Sequence, residues 1–451
     1  MKIGLLPLYI DIYDISSPHV RPRMQAFYER IAADFEGRGF NVVRTADFCR
    51  IRSEFEEAVD LFEKEKTDAI VTVHMAYSPS LEAVGALCRT KLPVVVLDTT
   101  ETLNFTNEQD PGEIMYNHGI HGVMDMCSML ARRGKPYAIA AGHMSLTDVV
   151  GEACGYVRAA VAARSLRGMR VGLFGGSFPG MGDFSVEPSE LRDRFGIEIT
   201  NLSADILTRY AGEPENSDVE KELALDRERF DFPDGTDIDG YRRSLTVGLG
   251  LRRCIEDNGF GAFSVNFRSV KELPFVECCK AMERGIGYAG EGDGLTSAFV
   301  GALLRGFPET NFIEIFCPDW ENGMLFLSHM GEMNYRIADN RPQVAYKGGF
   351  VDTYCAYARM KGGSGVFVNV SRGQSDYKLL LAPARMLGFQ SDNFPASIRG
   401  WMKPEKAAST AEFLKELSMN GATHHSAFVY GTTVDELRFF GALLGLETVV
   451  I

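Results

Sequence analysis

The stretch Gly287–Asp293 (GYAGEGD) decides how this chain is interpreted, because a short strand pattern runs there into glycines and a carboxylate. Ile286 to Tyr288 has the character of a strand, and a helix is predicted to begin near Thr296. A strand, a turn and a helix in this order form one unit of an α/β fold. Ligands of such folds bind at the carboxyl ends of the strands. The small neighbours of Glu291 therefore leave its carboxylate exposed in a crevice.

Upstream of this stretch the same unit recurs. Short apolar strands are predicted at 3–8, 41–44, 69–73, 93–97 and 137–141, and a second series begins with a strand at 169–174. Helical spacing separates them, and Ser53 followed by Glu56 predicts a capping box at the start of one helix. Alternating units of this kind predict parallel sheets covered by helices. We expect two Rossmann-like domains, at 1–165 and 166–310.

After residue 310 the pattern changes. Closely spaced strand candidates fill 312–381, separated by turn residues such as those at 361–365 (KGGSG). A final helix at 411–419 and a strand at 426–430 follow. This pattern predicts a β-rich, antiparallel barrel-like domain at 311–451. The predicted fold class is α/β, with two Rossmann-like parallel-sheet domains followed by this C-terminal domain.

Composition excludes several classes of protein. The 451 residues carry 61 acidic and 47 basic side chains, a formal charge of −14, so a phosphate backbone would be repelled and nucleic acid is not an expected partner. No apolar run reaches the ~20 residues that cross a bilayer. The nine cysteines are scattered without a Cys-x-x-Cys pair, which favours free thiols in the cytoplasm. The glycine-rich segment at 175–182 fails the dinucleotide fingerprint and favours a plain strand–helix loop.

Further polar side chains stand out against apolar surroundings. Glu314 lies inside the apolar strand at 311–316, His329 follows a strand, and His424 and His425 are adjacent. A carboxylate between Phe and Ile is costly to bury unless it is paired, hydrogen-bonded or bound to a metal. Two carboxylates with two imidazoles suit a divalent ion such as Mn²⁺.

Each of these residues also has a structural interpretation. Glu314 alternates with apolar neighbours and could face solvent, and His329 alone is more often a structural histidine than a ligand. Adjacent residues of a strand point to opposite faces, so we expect at most one of His424 and His425 to be a ligand. Spacing alone leaves these alternatives open.

The same segments together resemble the L-arabinose isomerase family, within the wider L-fucose/L-arabinose isomerase group. The resemblance rests on four motifs in the family's order: GYAGEGD at 287–293, FIE at 312–314, SHM at 328–330 and GATHH at 421–425. It implies that Glu291, Glu314, His329 and His425 are the metal ligands.

Weaker similarities concern the sugar. The segment at 117–122 (NHGIHG) resembles a family motif and implies that His121 contacts substrate from a neighbouring subunit. Phe267 corresponds to a pocket phenylalanine, and Tyr9 to an N-terminal pocket segment. The chain departs from the family at Gly294, where a Trp is usual, and at Ile315, where an acidic residue is usual.

The resemblance implies an aldose–ketose isomerase, an intramolecular oxidoreductase that acts on a sugar through an enediol(ate). Glu291 and Glu314 would then be the acid/base residues and Mn²⁺ the expected metal. It also implies a cytoplasmic homo-oligomer, a hexamer, with no membrane or nucleic-acid partner. Alternatives are an isomerase or epimerase of a different sugar or polyol-like compound, a non-catalytic sugar-binding protein of the same fold, and, on weaker grounds, a metal hydrolase.

Overall fold

The computed structural model describes residues 1–270, 272–349 and 351–451. The chain divides into two compact units, at 1–161 and 162–451. Each unit is considered by itself below. The division into domains at 1–165, 166–310 and 311–451 stays a prediction.

Every residue of the first unit is described, and its strands form one parallel sheet. The strand order β2-β1-β3-β4-β5 is that of a doubly wound α/β fold. The elements are β1 (Lys2–Leu8), α1 (Asp11–Ser16), α2 (Arg21–Gly37), β2 (Asn41–Arg44), α3 (Arg52–Lys64), β3 (Ala69–His74), α4 (Ser80–Arg89), β4 (Val94–Asp98), α5 (Ile114–Asn117), α6 (Ile120–Arg132), β5 (Tyr137–Ala141) and α7 (Val149–Leu166), which contains the boundary with the second unit.

The capping box predicted at Ser53 is wrong by two residues. Helix α3 begins at Arg52 with Ile51 as its N-cap. The carboxylate of Glu54 accepts the backbone N–H groups of Arg50 (2.7 Å) and Ile51 (3.4 Å), so Glu54 takes the role at the helix start that was predicted for Glu56. The nearer acidic residue therefore sets the start of the helix.

A buried histidine makes the first unit sensitive to acid. His74 ends β3 with 4% of its surface exposed, and a Cβ at Gly122 would lie 2.4 Å from its ring. Burial lowers the pKa of His74 from its ordinary 6.5 to about 3. Below pH 6.5 the unfolded chain binds a proton that the folded chain excludes, so stability falls as the pH falls through this window.

We expect the unfolding free energy of wild type to fall faster than that of His74→Leu between pH 6.5 and 5, by about 1.4 kcal/mol per pH unit. Denaturant titrations at several pH values measure the difference. His19→Gln, at an exposed histidine of the same unit, is the control and keeps the wild-type slope. Parallel curves for wild type and His74→Leu would rule out a neutral buried imidazole.

The second unit begins with a four-stranded parallel sheet in the order β7-β6-β8-β9, counted over the described residues. Its elements are β6 (Arg170–Phe174), α8 (Pro188–Phe195), β7 (Glu198–Leu202), α9 (Asp205–Ala211), α10 (Asn216–Arg229), α11 (Ile238–Asn258), β8 (Ala262–Val265), α12 (Phe275–Glu283), β9 (Gly287–Gly290) and α13 (Gly294–Gly306). Strand β9 and helix α13 flank Glu291, as the sequence predicts.

An antiparallel barrel follows in the same unit. Among the described strands, six close a ring in the order β14-β17-β10-β11-β16-β15, with β15 pairing back to β14. The elements are β10 (Thr310–Asp319), β11 (Met324–Ser328), β12 (Gln343–Lys347), β13 (Thr353–Tyr357), β14 (Gly363–Arg372), β15 (Tyr377–Leu387), β16 (Gly400–Pro404), α14 (Thr410–Met419), β17 (His425–Tyr430), α15 (Val434–Leu444) and β18 (Glu447–Val450). Parallel-sheet α/β structure followed by a barrel confirms the predicted fold class.

The register of the barrel brings distant residues together. Glu314 on β10 pairs with His425 on β17 and with Ser328 on β11, immediately before His329. Glu314 and His425 are separated in sequence by more than a hundred positions but are directly paired in the sheet. Among the described residues, no helix is long and apolar enough to cross a membrane.

Candidate metal centre

Glu291 occupies a strained turn between β9 and α13. Its φ is 65°, a left-handed conformation that is uncommon for a residue other than glycine. Gly292 follows with φ 81°, and a Cβ there would lie 2.2 Å from the carbonyl oxygen of Gly176. The backbone N–H of Phe178 holds the turn by donating to the Glu291 carbonyl (2.8 Å). Strain of this kind concentrates at functional sites and is held there by the surrounding structure.

The barrel supplies three further side chains. Ligand atoms of Glu314, His329 and His425 all lie within 4.8 Å of one another. The Nε2 atom of His329 is 3.8 Å from a carboxylate oxygen of Glu314. The Nε2 atom of His425 is 3.7 Å from Oε2 of Glu291, which joins the turn to the barrel residues. The structure therefore brings together the four residues that the sequence analysis nominated as ligands.

Two buried carboxylates orient the imidazoles. Nδ1 of His425 donates to Asp293 (3.0 Å), and Nδ1 of His329 donates to Glu332 (2.7 Å). Both rings consequently direct Nε2 toward the centre. A histidine whose second nitrogen bonds a carboxylate is the usual arrangement at a protein metal site. Asp293 has a second role, because its other oxygen accepts the N–H of Thr296 and caps helix α13.

Glu332 is almost completely enclosed, with 1% of its surface exposed. It accepts hydrogen bonds from His329, from the Tyr288 hydroxyl (2.6 Å) and from the Gly331 N–H (2.8 Å). The imidazole of His329 packs directly against Gly290, where a Cβ would lie 2.5 Å from Cε1 of the ring. Neither Glu332 nor Asp293 was assigned a role in the site from the sequence.

His424 forms a second group of ligand atoms with Glu291 and His425, again within 4.8 Å of one another. The expectation that at most one of His424 and His425 is a ligand stays a prediction, although the reason given for it does not hold at His424. Strand β17 begins at His425, so the alternation of strand side chains does not extend to His424. Asp183 fixes the ring through Nδ1 (2.6 Å) and receives the backbone N–H of His424 (2.8 Å).

The acidic and imidazole groups shift each other's pKa values. Hydrogen bonding to Asp183 raises the pKa of His424 to about 10. Burial raises the pKa of Glu314 above its ordinary value. Burial also raises the pKa of Glu291, but the contact with His424 and the other histidines outweighs it and leaves the pKa lowered. Burial lowers the pKa of His329, and the Glu332 carboxylate outweighs it, so the net pKa is raised.

Two atoms of the centre test whether a cation fits. Nε2 of His425 and Oε2 of Glu291 are buried and have no hydrogen-bond partner among the described residues. The nearest imidazole nitrogens to Oε2 of Glu291, at 3.5 and 3.7 Å, lie beyond ordinary hydrogen-bond length. Buried polar atoms without a partner are rare and costly. A divalent cation between the carboxylates and imidazoles would satisfy both atoms.

Of the three predicted sugar-contacting residues, only Phe267 belongs to the unit that contains the candidate metal centre. Phe267 follows β8 and contacts the ring of Phe178 (5.3 Å between centroids), which neighbours the Glu291 turn. Tyr9 is buried directly after β1 in the first unit, and His121 is exposed on α6 with its ring 5.7 Å from that of His118. Within the second unit, the structure thus brings Phe267 near the Glu291 turn, and the roles of Tyr9 and His121 stay predictions.

Two family models match the second unit. The L-arabinose isomerase central domain matches residues 187–305, and the L-arabinose isomerase C-terminal domain matches residues 309–447. Together they span more than half of the chain and include all four nominated ligands. The chain belongs to the L-arabinose isomerase family. Membership makes it an aldose–ketose isomerase, an intramolecular oxidoreductase, and the matched ranges leave Tyr9 and His121 outside both models.

Relatives of the family match over most of the chain. The L-arabinose isomerase of Geobacillus kaustophilus is 24% identical over 86% of this chain and 81% of its own length. That of Erwinia tasmaniensis is 25% identical over 88% and 84%. L-arabinose isomerase 1 of Bacillus licheniformis is 24% identical over 95% and 86%. The family relationship therefore extends beyond the two matched domains into the first unit.

Proposed function

We propose that this chain is a metal-dependent isomerase that interconverts an aldose and its ketose through an enediol(ate). The observation that carries the proposal is the convergence of Glu291, Glu314, His329 and His425 around two buried atoms that lack partners. These four residues would hold a divalent ion, and Mn²⁺ fits a mixed set of carboxylates and imidazoles. The ion, when bound, would polarise the sugar carbonyl and offset the negative charge of the enediolate.

The protein's own residues handle the protons. The reaction moves one proton between C1 and C2 and another between the two oxygens on those carbons. Glu291 and Glu314 reach the centre from different elements, one from a turn and one from β10, so the two carboxylates can divide these transfers. The strained backbone at Glu291 limits the positions its carboxylate can take. Asp293 and Glu332 keep both imidazoles in one orientation through the cycle.

The substrate is proposed to be a free aldose, with L-arabinose as the first to test because the matching relatives carry that name. Phe267 would form part of the sugar pocket. Tyr9 and His121 would contact the sugar as well, His121 from a neighbouring subunit of a homo-oligomer, proposed to be a hexamer. The nine cysteines are all free thiols, which supports a cytoplasmic location.

The deciding experiment is an assay of ketose formation by the full chain. Aldopentoses, aldohexoses and 6-deoxy sugars are supplied in turn, with Mn²⁺, with other divalent ions and after stripping by a chelator. We expect ketose from at least one aldose with metal, loss of product after stripping, and recovery when Mn²⁺ returns. Epimerised aldose without ketose would redirect the proposal to an epimerase. Tight sugar binding without any product would replace it by a binding protein.

A further inference from the structure

A cavity of 260 Å³ adjoins the back of the Glu291 turn, within the second unit. This is far above the ~10–15 Å³ that one water molecule needs. Its walls come from β6, β7, the loop after β6 and the first residues of α13. They include Leu173, Ser177, Phe184, Ile199, Asn201 and Gly294.

Two wall residues also contact residues of the candidate metal centre or of the turn that holds Glu291. The ring of Phe184 stacks on the imidazole of His425, with centroids 5.0 Å apart and planes 3° apart. The hydroxyl of Ser177 donates to the carbonyl of Gly292 (2.9 Å), next to Glu291. The cavity therefore borders the residues that would hold the metal and orient the sugar.

Gly294 keeps this space open. It is absent from the residues with positive φ, so the backbone at this position does not require glycine. A Cβ would meet Cδ1 of Ile199 at 3.0 Å and Leu173 at 3.5 Å, and both contacts are side-chain ends that can shift. In Gly292, two residues earlier, the conformation and a backbone contact both require glycine. The missing side chain at Gly294 therefore leaves the cavity open and is not needed for the backbone conformation of the turn.

The walls indicate the chemistry of a ligand. Ser177, Ser185 and Asn201 provide hydroxyl and amide groups beside the apolar faces of Leu173 and Ile199. Glu187 is the one charged side chain among the described lining residues, and none of them is basic. A phosphorylated sugar would be repelled, whereas a neutral hydroxyl-bearing chain fits. A group of that kind would be the end of a substrate held at the neighbouring centre.

We propose that this cavity is a recognition subsite for the far end of a neutral sugar of six or more carbons, kept open by Gly294. The inference rests on the proposed function, because it assumes that the first carbons lie at the metal centre. A five-carbon sugar would leave the subsite to water. The subsite would then favour the longer chain by the contacts that the extra carbon and hydroxyl make.

The test uses polyols, which bind without turnover. L-arabinitol and galactitol share their configuration at the three common centres and differ by one carbon and its hydroxyl. Calorimetric titration of the full chain with Mn²⁺ should show galactitol bound about tenfold more tightly than L-arabinitol. Gly294→Val should remove that preference, and Gly294→Ala should reduce it to an intermediate value. Gly85→Val, at an exposed helical glycine with open space around it, should keep the wild-type ratio.

Three outcomes overturn the subsite: no preference for the six-carbon polyol in wild type, equal weakening of both polyols by Gly294→Val, or no binding of either. Melting curves check that the Gly294 variants are folded. If Gly294→Val does not fold, the polyol affinity ratio of Gly294→Ala is compared with that of wild type instead. Ketose formation by wild type from the panel of aldopentoses, aldohexoses and 6-deoxy sugars is measured separately. No ketose from any of them would reject the proposed function, whereas turnover with the same polyol ratio in wild type and Gly294→Val would reject the subsite alone.

Discussion

Replacing Glu291 or Glu314 by Gln is expected to lower kcat by ~10²–10⁴-fold, the usual contribution of a positioned acid or base. Gln keeps the size of the side chain but cannot accept the proton that the reaction transfers. Each carboxylate is also a nominated ligand, so weaker binding of Mn²⁺ should accompany the loss. Rates are measured over a series of Mn²⁺ concentrations, which separates kcat at saturating metal from the metal affinity.

The fold should survive these changes. Oε2 of Glu291 has no hydrogen-bond partner among the described residues, and Glu314 pairs with its neighbours through the backbone of β10. Burial raises the pKa of Glu314, so Glu314→Gln should not lower the melting temperature without metal. Burial also acts on Glu291, but the histidines outweigh it and lower its pKa, so Glu291→Gln loses a favourable contact and should lower the melting temperature slightly without unfolding the protein. Glu405→Gln, at a surface glutamate that contacts Arg385, is the matched control and should keep full activity. Wild-type kcat in both site variants would remove the two glutamates from the mechanism.

Most of the fold could be predicted because its patterns are local. The alternation of strand and helix in the first unit and the closely spaced strands after residue 310 are properties of short windows. The closure of the barrel is not a local property, because it requires β15 to pair with β14 and β17 to lie between β14 and β10. The register that pairs Glu314 with His425 is likewise a long-range property, and no window of sequence contains both.

The same reason explains which site residues were missed. Asp293 and His425 are bonded across 132 positions, and Asp183 and His424 across 241. One local signal was available: an aspartate directly before a predicted helix is a typical N-cap, which marks Asp293 as fixed in place. For Glu332 the spacing of three residues from His329 was visible, but its significance depends on burial beside Tyr288. For His424, the alternation of strand side chains was applied to a residue that precedes the strand, since β17 begins at His425.

The second large effect is expected at Glu332, the buried carboxylate that accepts the hydrogen bond of His329. Glu332→Gln should weaken Mn²⁺ binding by ~10–100-fold, because the negative charge behind an imidazole makes it a stronger ligand. The amide can keep hydrogen bonds to the ring, to Tyr288 and to the backbone of Gly331, so the change acts mainly through charge. Tyr288→Phe is the matched control, since it removes one hydrogen bond to Glu332 and leaves the carboxylate facing His329.

Metal titration followed by calorimetry gives the affinity of each variant, and initial rates of ketose formation give kcat at saturating Mn²⁺. We expect Glu332→Gln to recover most of its kcat once Mn²⁺ is raised, because Glu332 positions a ligand and does not reach the sugar. Glu314→Gln should not recover at any concentration, because it lacks the proton acceptor. An unchanged Mn²⁺ affinity in Glu332→Gln would show that the imidazole of His329 does not hold the ion. The ligand set would then have to be sought in the other group, Glu291, His424 and His425.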